Sequence, residues 1–158
     1  MQSFKPVITR HSSWLVINSV QGCPHNCKYC FLKKDGLTSC KPKVLCSPED
    51  AVRQLLHYKF YDKNTPIVLM VNTDVFSTKD NEIYLAKLFD EIIKNGVKNP
   101  ITFVTKLSPF GLINGSLSSL KKTNKVVAYI SYSGLDNNIE CGVNHDRTRQ
   151  AFDYFKNL

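Results

Sequence analysis

Strand-like and helix-like segments alternate along the whole of this chain. Four short runs are apolar and rich in β-branched residues, and the segments that follow them repeat apolar residues at helical spacing. The predicted strands are 14–20, 66–72, 101–106 and 125–133, and the predicted helices are 47–60, 79–94, 112–122 and 146–158. Strands that alternate with helices form parallel sheets with right-handed crossovers. The sequence therefore predicts one α/β domain over residues 1–158, with about four βα units.

Two kinds of parallel architecture fit this alternation, a (βα) barrel and an open flavodoxin-like sheet. Neither a GxGxxG nor a GxxxxGK(S/T) motif is present, which removes the common nucleotide-binding forms. In both architectures the functional site lies at the carboxyl ends of the strands. We therefore interpret the polar residues that end the later predicted strands as one site: Asn72, Thr73, Asp74, Thr105, Lys106, Ser131 and Ser133.

Composition predicts a soluble cytoplasmic protein. No stretch approaches the ~20 consecutive apolar residues that span a bilayer, and the first residues lack the apolar block of a signal peptide. The chain has six cysteines, and without an export signal we expect them to be reduced thiols and not a disulfide framework.

Positive charge is concentrated in the first part of the chain. The net charge is +8, and residues 1–60 hold nine Lys or Arg against three acids, or +6. A basic region beside a site can guide a polyanion such as a nucleic acid. The simpler interpretation is a solvated basic surface, which the charge alone favours.

Three cysteines lie within eight residues, in the sequence GCPHNCKYC at 22–30. Cys23, Cys27 and Cys30 have the spacing C-x3-C-x2-C, and soft thiolates suit iron–sulfur clusters, zinc or copper(I). Zinc usually takes four protein ligands, so a zinc site would need a fourth from His25, Cys40 or Cys46. Cysteines without any metal are the remaining alternative.

The cysteine loop resembles that of the radical S-adenosylmethionine (SAM) enzymes, in particular the spore photoproduct lyase-like branch. Tyr29 matches the aromatic of the family form C-x3-C-x-aromatic-C. Further matches, weak singly but in the family's order, are Thr73 and Asp74 with Glu82, the sequence FVTK at 103–106, the sequence ISYS at 130–133, and Glu140 with Arg149. The resemblance covers about residues 10–158.

The resemblance implies a partial parallel (βα) barrel and a 4Fe–4S cluster bound by Cys23, Cys27 and Cys30. One iron is left for the amine and carboxylate of SAM. Flavodoxin or ferredoxin supplies an electron, SAM is cleaved to methionine and a 5′-deoxyadenosyl radical, and that radical abstracts hydrogen from a substrate. The implied SAM-binding residues are Tyr29, Phe31, Thr73, Asp74, Lys106, Ser131, Ser133 and Arg149.

Ordinary structural roles are the alternatives for these residues. Asp74 is able to cap the turn that follows it, and Lys106 could simply face solvent. Arg149 is equally placed to pair with Asp146 or Asp153 on its own helix.

Two residues depart from the family pattern. Val71 stands where spore photoproduct lyase has its hydrogen-donating cysteine, which argues against thymine-dimer repair by that route. Cys141 replaces a proline, and we interpret it, like Cys40 and Cys46, as a small structural residue.

The chain ends after four βα units, where the family core has six. We therefore expect an incomplete core whose fourth strand is an open edge, covered by a missing C-terminal part or by a second chain. The sequence predicts a lyase- or oxidoreductase-like radical SAM enzyme of unassigned reaction, with nucleic acid as one candidate substrate. The alternative is a non-enzymatic zinc- or iron–sulfur-binding module, or an inactive fragment.

Overall fold

A computed structural model describes residues 2–134 and 136–156. The strands are β1 (Ile8–Arg10), β2 (Leu15–Ile17), β3 (Val20–Gln21), β4 (Asn26–Cys27), β5 (Lys43–Val44), β6 (Ile67–Leu69), β7 (Ile101–Thr105), β8 (Val126–Ile130) and β9 (Glu140–Cys141). The helices are α1 (Pro48–Leu56), α2 (Lys79–Lys94), α3 (Asn114–Lys121) and α4 (His145–Phe155), and a 3-10 helix spans Phe31–Asp35.

The main sheet has five strands in the order β1-β2-β6-β7-β8. The last four are parallel and pair in chain order, whereas β1 lies antiparallel to β2. The predicted α/β fold with a mostly parallel sheet is therefore confirmed. Among the described residues, β1 and β8 are the two open edges, so the sheet does not close into a barrel.

Local signals explain where the helices begin. The side chains of Ser47, Thr78 and Asn144 each accept a hydrogen bond from a backbone N–H in the first turn of α1, α2 and α4. Such capping satisfies donors that have no partner within the helix. The predicted helix starts at 47, 79 and 146 therefore lie within one residue of the observed ones.

The two faces of the sheet differ. Ile67, Leu69, Ile101 and Phe103 point into the core that the helices cover, and each is fully buried. The alternate residues Val68, Thr102, Val104, Val127 and Tyr129 line an open groove of about 570 Å³ together with Trp14. Strands that pair in chain order through right-handed crossovers carry their helices on one face, which leaves the other uncovered.

Several strands are shorter than predicted, and some short elements were missed. The strand predicted at 66–72 ends at Leu69, because Met70 has a φ of 54° and turns the chain. The prediction also missed the antiparallel β1 and the two-residue ladders β3–β5 and β4–β9. As predicted for the fourth strand, β8 is an edge and pairs only with β7 within the described ranges.

Candidate functional site

A cavity of about 360 Å³ lies at the carboxyl ends of the parallel strands. This volume falls within the ~300–1,000 Å³ usual for small-molecule sites. Its lining includes Cys23, Cys27, Cys30, Tyr29, Phe31, Thr73, Asp74, Lys106 and Ser131, and also His25, Leu32, Val71, Val104 and Thr105. The structure thus brings the three loop cysteines and six of the eight predicted SAM-contacting residues to one cavity.

The cysteine loop folds back on the segment that follows it. The backbone N–H of Cys23 donates to Leu37 O at 2.8 Å, and that of Cys40 donates to Cys23 O at 3.1 Å. Gly22 has a φ of 101°, and a Cβ there would stand 3.0 Å from the Cys40 Sγ. A glycine is therefore required where the chain enters the loop.

All six cysteines of the chain are free thiols. Cys23 and Cys27 are only 8% and 4% exposed, whereas Cys30 is half-buried. Burial, assisted by the nearby Asp74 carboxylate, raises the pKa of Cys23 to about 12, and burial also raises the pKa of Cys27. These groups are thiols in the free protein, so a metal that they bind must displace their protons.

Residues 139–142, which we call the strap, hold the cysteine loop from the other side. Two-residue pairing joins Cys27 to Glu140 and Asn26 to Cys141. The N–H of Lys28 donates to Ile139 O at 2.8 Å. The His25 ring donates from Nδ1 to Gly142 O at 2.9 Å, since a carbonyl oxygen only accepts. The strap therefore fixes the loop segment between the first and last cysteine.

Lys106, Glu140 and Tyr29 form a charged cluster at the cavity wall. The Lys106 ammonium donates to Glu140 Oε1 at 2.6 Å, to the Tyr29 hydroxyl at 2.5 Å and to Ser131 Oγ at 2.9 Å. The Tyr29 hydroxyl in turn donates to Glu140 Oε1 at 2.5 Å. Burial lowers the pKa of Lys106, but its bonds to Glu140 and Tyr29 outweigh that effect and raise the pKa. Lys106 is thus a fixed cation rather than a solvated one.

Asp74 ties the ends of two strands together. Its Oδ1 accepts from Phe76 N at 3.0 Å and Thr105 Oγ1 at 2.8 Å, and its Oδ2 accepts from Lys106 N at 2.7 Å. The neighbouring Thr73 Oγ1 accepts from the Asn81 side chain at 3.1 Å. Both residues line the cavity, but Asp74 also has the turn-capping role that was the alternative for it.

Two predicted residues are not brought to the cavity. Arg149 is exposed on α4 and pairs with Asp146 at 2.7 Å, which is the helix-surface alternative. Ser133 is half-buried outside the lining, and its hydroxyl acts on the Glu140 carboxylate, whose pKa it helps to lower. Glu82 lies elsewhere as well, because its carboxylate accepts from backbone N–H groups at 110–113.

Sequence reasoning attached no role to Glu140, although the resemblance pointed to its position. Its side chain is fully buried, and its Oε2 lies 3.7 Å from His145 Nε2. Arg147, which the sequence did not single out, donates to Phe76 O at 2.9 Å and lies 3.8 Å from the Phe110 ring centroid. No local sequence pattern signals either contact, because each joins segments far apart in the chain.

The cavity offers donors of the type that suits an iron–sulfur cluster, since three cysteine thiols line it beside polar strand ends. Their side chains are not already arranged as a metal site, because within residues 2–134 and 136–156 no group of three or more His, Cys, Asp or Glu side chains that could hold a metal ion is found. Every helix in the described ranges is too short or too polar to cross a membrane.

Comparison with known proteins found no family model, no curated protein and no solved structure that matches this chain.

Proposed function

We propose that the protein is a radical SAM enzyme, with a 4Fe–4S cluster bound by Cys23, Cys27 and Cys30. The observation that carries this proposal is the shared cavity, in which all three cysteines meet residues from the ends of three parallel strands. A C-x3-C-x2-C loop alone is compatible with zinc, but a zinc knuckle does not need a neighbouring small-molecule cavity.

When bound, the reduced cluster supplies one electron to SAM, whose cleavage gives methionine and a 5′-deoxyadenosyl radical. The residues of this chain bind and orient the ligand. Lys106 offers a positive charge to a carboxylate, and Ser131 offers a hydroxyl. Phe31, Leu32 and Val104 give the cavity apolar walls.

The winding of the sheet supports a radical SAM-type partial barrel. Doubly wound sheets reverse their strand order at a switch point and carry helices on both faces. Here β2, β6, β7 and β8 pair in chain order, and the face opposite the core is open. Pairing in chain order with one open face is what an incomplete (βα) barrel would have, and it favours that form over a doubly wound sheet.

The resemblance to radical SAM enzymes implies the electron donor, a reduced flavodoxin or ferredoxin in the cytoplasm. The other proposed partners are supported by the open sheet edge and the charge. Further strands, from this protein or a second chain, cover the β8 edge and the open groove. A nucleic acid or another polyanion is a candidate substrate, because residues 1–60 carry a net charge of +6.

Anaerobic reconstitution with iron and sulfide tests the cluster. We expect a brown protein that holds the iron of one cluster per chain, and we expect Cys27→Ala to lose it. The matched control replaces Cys40, Cys46 and Cys141 together by Ala and should keep nearly all of the iron. A colourless protein with one zinc, or equal iron loss in the control, contradicts the assignment.

The reaction is tested by adding SAM and dithionite to a monodisperse sample and measuring 5′-deoxyadenosine by chromatography. We expect slow formation that depends on Cys27, since one side of the cavity is open in the described chain. A cluster-loaded protein that yields no 5′-deoxyadenosine, even with SAM bound, contradicts the proposed activity.

A further inference from the structure

Three distant segments meet at the Lys106 ammonium. Tyr29 comes from the cysteine loop, Ser131 follows β8, and Glu140 belongs to the strap. An ammonium group has three N–H donors, and these three side chains supply an acceptor for each. A ligand carboxylate that binds Lys106 must therefore replace one of them.

The three acceptors differ in how firmly they are held. Glu140 has a fully buried side chain, and its backbone pairs with that of Cys27. Tyr29 is 51% exposed, and its hydroxyl and that of Ser131 are neutral. All three bonds have a charged donor, but only Glu140 also brings the opposite charge, so an incoming carboxylate displaces a hydroxyl more readily than it displaces Glu140.

The Lys106 side chain also depends on Glu140 for its direction. Only 12% of the side chain is exposed, and the Glu140 carboxylate is the acidic group in ion-pair contact with its ammonium. A long, flexible lysine keeps one direction only where fixed acceptors hold it. The strap therefore sets where the cation at the cavity wall stands.

We propose that Glu140 is a positioning residue, which fixes the Lys106 ammonium at the cavity wall so that it meets the carboxylate of SAM. This inference rests on the proposed function, because it takes SAM as the ligand of the cavity. Glu140 acts through Lys106 and does not itself touch the ligand, and the Tyr29 hydroxyl is the acceptor that the ligand carboxylate replaces.

A double-mutant cycle on SAM affinity tests this proposal with the reconstituted protein, by equilibrium dialysis. Loss of a charged hydrogen bond makes Lys106→Met bind SAM roughly tenfold or more weakly. Glu140→Gln keeps the side-chain shape and should weaken binding to a similar extent. In the Lys106→Met background, Glu140→Gln should have no further effect on SAM affinity, because the ammonium through which Glu140 acts is absent.

Decarboxylated SAM is the matched probe, because it keeps the adenosine, sulfonium and amine but lacks the carboxylate. Its affinity should be the same in wild type and Glu140→Gln. A merely structural role of Glu140 would weaken both ligands alike. Glu91→Gln is the matched control, because Glu91 pairs with Lys94 on α2 outside the cavity lining, and it should bind SAM at wild-type strength.

The outcomes separate this inference from the proposed function. The role of Glu140 is overturned if the two affinity losses in the cycle are additive, or if Glu140→Gln binds SAM and decarboxylated SAM equally more weakly. In either case, SAM binding by the wild type still supports the proposed function. Failure of the cluster-loaded wild type to bind SAM overturns both.

Discussion

Glu82 and Glu140 are both fully buried glutamates, but they accept hydrogen bonds from different kinds of donor. The Glu82 carboxylate accepts from the backbone N–H groups of Phe110 at 2.6 Å, Leu112 at 2.7 Å and Ile113 at 3.0 Å. The Glu140 carboxylate instead accepts from the side chains of Lys106 and Tyr29, both at Oε1, while its buried Oε2 has no partner in hydrogen-bond geometry.

This difference separates a scaffold region from an adjustable one. Backbone donors are fixed by the course of the chain, so Glu82 shapes the loop that leads from β7 into α3. Side-chain donors can rotate, so the half-exposed Tyr29 can move when a ligand enters the cavity while Glu140 still holds Lys106. Two equally buried carboxylates therefore have different roles: Glu82 stabilises a loop, and Glu140 lies in a region that can respond to a ligand.

The largest effect is expected from Glu82→Ala. It leaves three backbone N–H groups without their acceptor, one of them on the buried Ile113, and each such group costs about 1–3 kcal/mol. We expect the free energy of unfolding, measured by urea denaturation, to fall by about 3 kcal/mol or more.

Glu91→Ala is the matched control for this change on α2. Glu91 pairs with an exposed Lys94 at 3.0 Å, and exposed pairs contribute no more than about 1 kcal/mol. Similar losses in the two variants would show that Glu82 does not support the scaffold.

A smaller effect is expected from Glu140→Ala in the free protein. Lys106 keeps its bonds to Tyr29 and Ser131, and water can reach the exposed part of its side chain. We expect the free energy of unfolding to fall by about 1–3 kcal/mol, as for other charged hydrogen bonds. A loss larger than that of Glu82→Ala would break the distinction between the two regions.

The smallest effect is expected from the charge of Glu140 alone, whose contribution to the free energy of unfolding depends on pH. Burial raises the pKa of Glu140, but hydrogen bonds from Lys106 and Tyr29 outweigh it, so the pKa lies below its ordinary value of 4.5. The stability that this charge contributes is complete above pH 4.5 and is lost as the pH falls through the lowered pKa.

Wild type should therefore exceed Glu140→Gln in stability by a margin that is constant near neutral pH and shrinks as the pH falls below 4.5. Urea denaturation of both proteins at several pH values measures this margin. A margin that grows as the pH falls would contradict the assigned direction of the pKa.

The sequence predicted the parts of the site that depend on the order of strands and helices. Parallel strands end at the same edge of a sheet, so the residues after β6, β7 and β8 had to lie close together. Asp74, Lys106 and Ser131 accordingly line one cavity with the cysteines. The helix starts were predictable because capping is a local interaction.

The remaining features depend on contacts that no local pattern encodes. The pairing of Cys27 with Glu140 is a two-residue ladder between distant segments, and the sequence around 136–142 is polar and aperiodic. Arg149 was placed in the site because it follows Glu140, but the rotation of α4 about its axis turns it to solvent beside Asp146. That rotation is set by packing of the whole helix.

The strap delays the folding of the cysteine loop, because residues 139–142 are synthesised long after the loop. Tyr29 precedes Glu140 by 111 residues, and a ribosome needs on the order of 5 to 20 s to make a segment of that length. During this interval the nascent loop lacks every contact to residues 139–142. The contacts between the loop and the strap also form slowly, because the two segments are far apart in the sequence. In the growing chain Cys27 therefore lacks its pairing with Glu140, and the loop reaches its final form only once residue 142 has emerged and folded back.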